Sequence, residues 1–335
     1  MNTQLTRTRL TGLTVVLAGL LLISTACTRT TTPPASDDSA DPPIAMTPTP
    51  TAGGASAPGP GSQVVRADYQ TRYEGRTIDK HALVYLPAGY NADTSTRYDI
   101  VYLMHGAGQT ADSLLGGPGQ ASTLATTLDR MVETEQIEPM IVVTPTFYPD
   151  DDASLDLHYA GQLDRAFPRE LEDDLMPIVE GTYRTRADTP DAAGFRASRD
   201  HRAFSGFSMG GVTTWYMFLD DLDLFRYFAP MAGDCWVVQD TGGANAPEQT
   251  AARLDEAARS SGFGKDEYLI VASVGSSDGT RYQMEPQIRE MRTHPRSFDT
   301  GDDGNLRFLY DDGGGHDLNS LHAQLGTALP LLFHD

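Results

Sequence analysis

An apolar run that ends in Gly-Phe-Ser-Met-Gly-Gly, residues 206–211, restricts this chain more than any other segment. Residues 203–207 have the composition of a buried strand, and a helical pattern begins immediately behind them. A chain that passes straight from strand to helix must turn within one or two residues. Gly206 and Gly210 supply the positions where a Cβ would otherwise block that turn. Ser208, at the apex, is thereby lifted above the strand end with its Oγ open, in the pose of a nucleophile. The pentapeptide alone carries little weight, so its surroundings decide.

Those surroundings alternate. Residues 64–73 and 78–86 alternate apolar and polar side chains about Glu74-Gly75-Arg76, which predicts an antiparallel hairpin at a sheet edge, ended by Pro87. Apolar, β-rich runs follow at 100–104, 140–143, 203–207, 227–231, 268–274 and 306–310. Helical spacing occupies 121–136, 167–183, 209–219, 247–260 and 285–292, and 318–333 closes the chain as one helix or two. This order predicts an α/β fold with a mostly parallel central sheet, an antiparallel N-terminal edge and helices on both faces. In such sheets reactive groups gather just past the carboxyl ends of the strands. Trp215, Tyr216 and Phe218, on the helix behind Ser208, are expected in the core.

A serine hydroxyl is a weak nucleophile without a base, and the base needs an orienting acid. His316 lies in Asp-Asp-Gly-Gly-Gly-His-Asp directly after the last strand run, on a loop able to turn an imidazole back toward Ser208. His201, His294, His322 and His334 fall before a strand, in a polar turn, or in and after the terminal helix. The acid should come between Ser208 and His316, past a strand end. Asp278, three residues beyond Gly275, meets that condition. Asp234 is the alternative; it stands beside Trp236 and could equally line a pocket. Asp317 is too close to His316 in sequence. An oxyanion would be met by the N–H of Met209 and by that of Ala107, or a neighbour, in His105-Gly106-Ala107-Gly108. His105 itself is expected to be buried and to brace its loop. Without any His-x-x-x-His or Cys-x-x-Cys spacing, neither a metal nor another cofactor is expected.

Residues 1–26 carry Arg7 and Arg9, an apolar stretch and then Ser24-Thr25-Ala26, the pattern of an export signal. Cys27 directly behind it is the expected lipoprotein acylation site, the alternatives being an ordinary cleaved signal, which would leave the protein secreted, or an uncleaved anchor. Residues 27–62 are rich in Pro, Thr and Ser and predict a disordered tether, leaving 63–335 as one domain. The chain has two cysteines, so with Cys27 acylated Cys235 has no partner for a disulfide. A net charge of −21, more negative still without Arg7 and Arg9, argues against nucleic acid or an anionic membrane surface as partner. The membrane would be met only through the N-terminal lipid.

Taken in order, Tyr102-Leu-Met-His-Gly, Val142-Val-Thr-Pro-Thr-Phe, Gly206-Phe-Ser-Met-Gly-Gly-Val-Thr-Thr-Trp, Gly233-Asp-Cys-Trp and Ala328-Leu-Pro-Leu-Leu-Phe-His resemble the feruloyl esterases of carbohydrate esterase family 1, especially the esterase modules of bacterial xylanases. The resemblance covers residues 82–335. It implies an α/β-hydrolase fold and hydrolysis of the ester between ferulic or related hydroxycinnamic acids and the arabinose side chains of xylan. The family's nucleophile falls on Ser208, its acid on Asp278, its base on His316, and a pocket tryptophan on Trp236. Feruloylated arabinoxylan oligosaccharides or other hydroxycinnamate esters are then the expected substrates, met outside the cell at its surface. Two departures concern the sugar side: Cys235 stands where an aromatic is expected, and residues 317–320 carry none. An acetylxylan esterase or a mycolyltransferase-like acyl transferase would use the same triad. A surface lipoprotein that only binds would need none of it.

Overall fold

In the computed structural model, which describes residues 44–45, 61–120, 122–150 and 153–334, the apolar runs assemble into one sheet. Its strands are β1 (Ile44–Ala45), β2 (Gln63–Tyr73), β3 (Arg76–Leu86), β4 (Asp99–Met104), β5 (Met140–Thr144), β6 (Arg202–Phe207), β7 (Tyr227–Met231), β8 (Leu269–Gly275) and β9 (Leu306–Asp311). They lie in the order β1-β9-β8-β7-β6-β4-β5-β3-β2. β2 with β3 and β3 with β5 are antiparallel, and the other pairs are parallel, as the alternation of strand and helix predicts. Each of the eight sequence-predicted strands is present within two residues of its expected limits. The export signal and Cys27 lie outside the described residues. Ile44–Ala45, within the segment read as a tether, runs parallel against Leu309 and Tyr310 of β9.

β4 through β7 are buried along essentially their whole length, which explains their continuous apolar runs, whereas β2 alternates buried and exposed residues because one face meets water. Pairing of Leu83 with Thr144 leaves residues 76–82 of β3, with their β2 partners, extending past the carboxyl end of β5. At about 3.3 Å per residue that arm rises roughly 20 Å on the side of the sheet where strand-to-helix turns lie. It leans on the helix Leu157–Glu170: Tyr73 and Tyr159 hydroxyls are 3.1 Å apart, and the Tyr69 hydroxyl donates to Glu170 at 2.7 Å.

The helices form two packed groups. Thr123–Glu133 meets Leu318–Ala328, while Met209–Asp220 meets Leu157–Glu170 and Pro247–Ser261. Helix Leu157–Glu170 starts ten residues before its expected position at 167. Asp156 caps it by accepting from the N–H groups of His158 and Tyr159, and Gly161 inside it gives room to Trp236. Beyond Pro168 the helix widens into a π turn at Leu171–Leu175 and continues as Met176–Thr182. Below β6, the wholly buried Arg202 forks onto Glu180, both bonds at 2.8 Å, and the Tyr102 hydroxyl donates to the same carboxylate.

Candidate active site

Ser208 caps the helix Met209–Asp220 with φ 60° and ψ −118°, a conformation that a residue with a Cβ adopts only under constraint. The constraint is visible. Its N–H donates to the Met231 carbonyl at 2.9 Å, and its own carbonyl accepts from the N–H groups of Gly211 and Val212. A Cβ on Gly206 would sit 2.3 Å from the Gly210 carbonyl oxygen, and one on Gly210 would sit 2.3 Å from that of Met104. Those two glycines let strand, turn and helix close to backbone contact and hold Ser208 at the top of β6.

The loops after β8 and β9 deliver the partners. They are laced together: Ser277 N–H donates to the Gly314 carbonyl, and Gly313 N–H to the Ser276 hydroxyl. From them His316 Nε2 reaches Ser208 Oγ at 2.9 Å, and His316 Nδ1 reaches Asp278 Oδ2 at 2.7 Å. A carboxylate only accepts, so Nδ1 carries the proton and Nε2 is free to take one from Ser208. The second oxygen of Asp278 accepts from the N–H and the hydroxyl of Thr280, both at 2.8 Å. Burial works to raise the Asp278 carboxyl, but the His316 bond and the two Thr280 bonds outweigh it and hold the group below its ordinary range. Phe207 packs on the imidazole with ring centroids 4.8 Å apart.

The loop expected to offer the second oxyanion donor follows β4. Gly106 approaches Ser208 so closely that a Cβ on it would lie 3.2 Å from Ser208 Cβ. Gly106 N–H is taken by the Gln109 side chain at 2.8 Å, and Gly108 N–H by the Ser154 carbonyl and the Tyr148 hydroxyl. Ala107 N–H, between them, and Met209 N–H bond to no acceptor among the described residues. His105 is buried, with Nδ1 bonded to the Gly106 carbonyl and Nε2 to the Thr146 hydroxyl, and burial pushes its imidazole down to about 4.

Asp234, the alternative acid, lies elsewhere. One oxygen accepts from Trp236 Nε1 at 3.0 Å and the other from Gly243 N–H at 2.7 Å, so it fixes Trp236 and offers nothing to His316. Burial pushes its carboxyl up to about 6, against those two bonds. Trp236 lies against Gly161, where the Met209 thioether also reaches. Asp317 caps the last helix through Asn319 and Ser320. His201 binds Asp99, His294 meets Asp255, and His334 bonds the Pro330 carbonyl. Trp215, Tyr216 and Phe218 are core residues.

Sequence reasoning missed Thr280, Gln109, Thr146 and Leu155. Asp-x-Thr is an Asx-turn pattern that could have revealed Thr280. Leu155, 79% exposed, lies over Gly108 and gives the loop after β4 an apolar flank; nothing local in the sequence places it there.

Fold and site together define an α/β-hydrolase with a Ser-His-Asp arrangement at the carboxyl edge of its sheet. The chain belongs to the esterase family, whose model, described as "Putative esterase", matches residues 77–332. It is 36% identical over 265 residues to an endo-1,4-beta-xylanase Y of Acetivibrio thermocellus and 28% identical over 164 residues to an endo-1,4-beta-xylanase/feruloyl esterase of Xylanibacter ruminicola. These matches cover 78% and 48% of this chain but only 23% and 20% of the relatives. A serine-to-alanine variant of the feruloyl esterase module from Clostridium thermocellum, solved with sinapinate, superposes with TM-score 0.73 at 34% identity, covering 87% of this chain and 95% of that one. A ferulic acid esterase from Anaeromyces mucronatus, solved with ferulic acid, shares the fold at TM-score 0.61 and 19% identity, covering 87% of this chain and 98% of that one.

Proposed function

We propose that this chain hydrolyses esters of ferulic and related hydroxycinnamic acids, with arabinoxylan side chains as the alcohol component. The observation that carries this is the unbroken relay from Asp278 through His316 to Ser208, on a chain 34% identical over nearly the whole length of a feruloyl esterase module. Ser208 Oγ attacks the ester carbonyl as its proton passes to His316 Nε2, while Asp278 stabilises the imidazolium. Met209 and Ala107 N–H groups bind the resulting oxyanion. Collapse breaks the bond to the sugar oxygen, which takes the proton from His316 and leaves a feruloyl ester on Ser208. Water, deprotonated by His316, then attacks that ester and releases ferulate, restoring the serine. Trp236 and the Asp234 that anchors it, with Leu155 on the oxyanion flank, are assigned to the acyl side. The residues 1–27 support export and lipid anchoring at Cys27, so this chemistry is assigned to the cell surface.

The test is release of ferulate from methyl ferulate and from a feruloylated arabinoxylan oligosaccharide by the full chain and by Ser208→Ala. Release that the variant loses supports the assignment. Turnover of acetyl esters alone would retain the nucleophile and reject the hydroxycinnamate specificity; absence of any ester turnover would favour a binding protein. Retention of the Cys27→Ala chain in membranes would reject the anchor.

A further inference from the structure

The donor assigned to Ala107 is half of a rigid unit. The Gly106 C=O and the Ala107 N–H belong to one planar trans peptide and point in opposite directions. Whatever holds the carbonyl therefore aims the N–H. His105 Nδ1 holds it at 2.8 Å, and because a carbonyl only accepts, that nitrogen carries the imidazole proton. Nε2 is then an acceptor, facing the Thr146 hydroxyl at 2.8 Å. Tyr148 N–H occupies one lone pair of that hydroxyl at 3.1 Å, leaving its O–H to donate to Nε2. With the proton on Nε2 instead, the Nδ1 lone pair would confront the Gly106 carbonyl and turn the peptide, and the Ala107 N–H with it.

Thr146 is itself pinned. Its carbonyl accepts from Lys80 Nζ at 2.8 Å, and the same ammonium bonds Glu170 at 2.6 Å. The Lys80 side chain is 2% exposed, carried to this place by the hairpin arm. Burial disfavours the charge on either partner, and the charge and hydrogen bond of each favour ionisation of the other.

The geometry points to Thr146 as a positioning residue for the oxyanion donor, selecting the Nδ1–H tautomer of His105, with the Lys80–Glu170 pair fixing Thr146. This rests on the esterase function proposed above. It ties an edge hairpin to the reaction through Glu170, Lys80, Thr146 and His105, none of which touches substrate.

Thr146→Val and Thr146→Ser separate this role from packing. Valine has the shape of threonine without the hydroxyl; serine keeps the hydroxyl and loses the methyl. Loss of a whole oxyanion donor lowers kcat by about 10²–10³-fold, so partial misaiming in Thr146→Val should lower it roughly 10–100-fold with KM within about threefold. Thr146→Ser should stay within about threefold of the parent, and Lys80→Met should fall between the two. If Thr146→Val is as active as Thr146→Ser or more so, the positioning role is overturned and packing explains the site. A readout independent of turnover is the ¹⁵N NMR of the His105 imidazole in the full chain. The parent should show the Nδ1–H tautomer and Thr146→Val should lose it. An Nε2–H tautomer in the parent overturns the inference even in an active enzyme. An inactive parent with the Nδ1–H tautomer, lost in Thr146→Val, would refute the esterase function while supporting the aiming of the peptide.

Discussion

The backbone strain at Ser208 can be read from two substitutions at that one position. At most positions glycine is less stable than alanine by about 0.5–1 kcal/mol, because it loses more chain freedom on folding. At Ser208 the φ of 60° with ψ of −118° reverses the expectation. A residue with a Cβ held in so sparsely populated a region costs about 1–3 kcal/mol, which Ser208→Ala keeps and Ser208→Gly releases. Glycine also gives up the Cβ contact with the Gly106 segment, part of the ~0.8 kcal/mol that a fully buried methylene contributes. The balance leaves Ser208→Gly more stable than Ser208→Ala by about 1 kcal/mol, a rise of roughly 2 °C in Tm for a domain of this size. Both variants lack the hydroxyl bonded to His316, so that loss cancels in the comparison. Urea unfolding of the two variants side by side gives the difference directly, with the parent as reference. If Ser208→Ala proves the more stable by over about 1 kcal/mol, the turn is not strained and the fold does not hold its serine in this way.

Four further outcomes follow from the same geometry. Asp278→Asn should leave the fold intact and lower kcat by about 10⁴-fold, whereas Asp234→Asn should retain most of kcat; steady-state kinetics of the pair decides between the two carboxylates. Asp234, raised to about 6 by burial against an unfolded value of about 3.9, holds its proton longer in the folded state. Stability from this group is full below about pH 4 and is lost as pH rises through 6, a change of at most about 3 kcal/mol that Asp234→Asn should abolish in parallel urea titrations. Removing Glu180 by Glu180→Ala strands the buried Arg202 guanidinium and should cost about 3–5 kcal/mol, read as a lowered urea midpoint at unchanged m. Gly210→Ala should force the helix start away from the Met104 carbonyl and cost about 1–3 kcal/mol, with kcat falling further than Tm alone explains.

The sheet was legible because its strands are either buried throughout or buried on one face, and both conditions write themselves into local composition. The juxtaposition of Ser208, His316 and Asp278 was legible because the three sit past β6, β9 and β8, so strand positions and chain order narrowed each choice to one or two residues. What escaped depends on contacts across the chain. The helix starting at Leu157 contains Gly161 and runs into Pro168, residues that argue against a helix locally; Trp236, about 75 positions later, is what Gly161 accommodates. Pro286 hid the start of the helix Arg281–Met291 in the same way. Asp234 and Asp278 follow neighbouring strands and are equivalent by pattern; only the bonds to Trp236 and Gly243 show that Asp234 is already committed. The Lys80 contact was invisible because a lysine on an alternating edge strand is ordinarily solvated, and the register that carries it past β5 is set by pairing.

Hydrolysis by the proposed route requires Ser208 to carry a hydroxycinnamoyl ester during turnover. Acid quenching of the full chain during turnover of a feruloyl ester, followed by peptide mass mapping, would detect that ester. A feruloyl adduct is expected on the peptide containing Ser208, disappearing when substrate is exhausted and never forming in Ser208→Ala. An adduct on another residue, or ferulate release undiminished in Ser208→Ala, would contradict it.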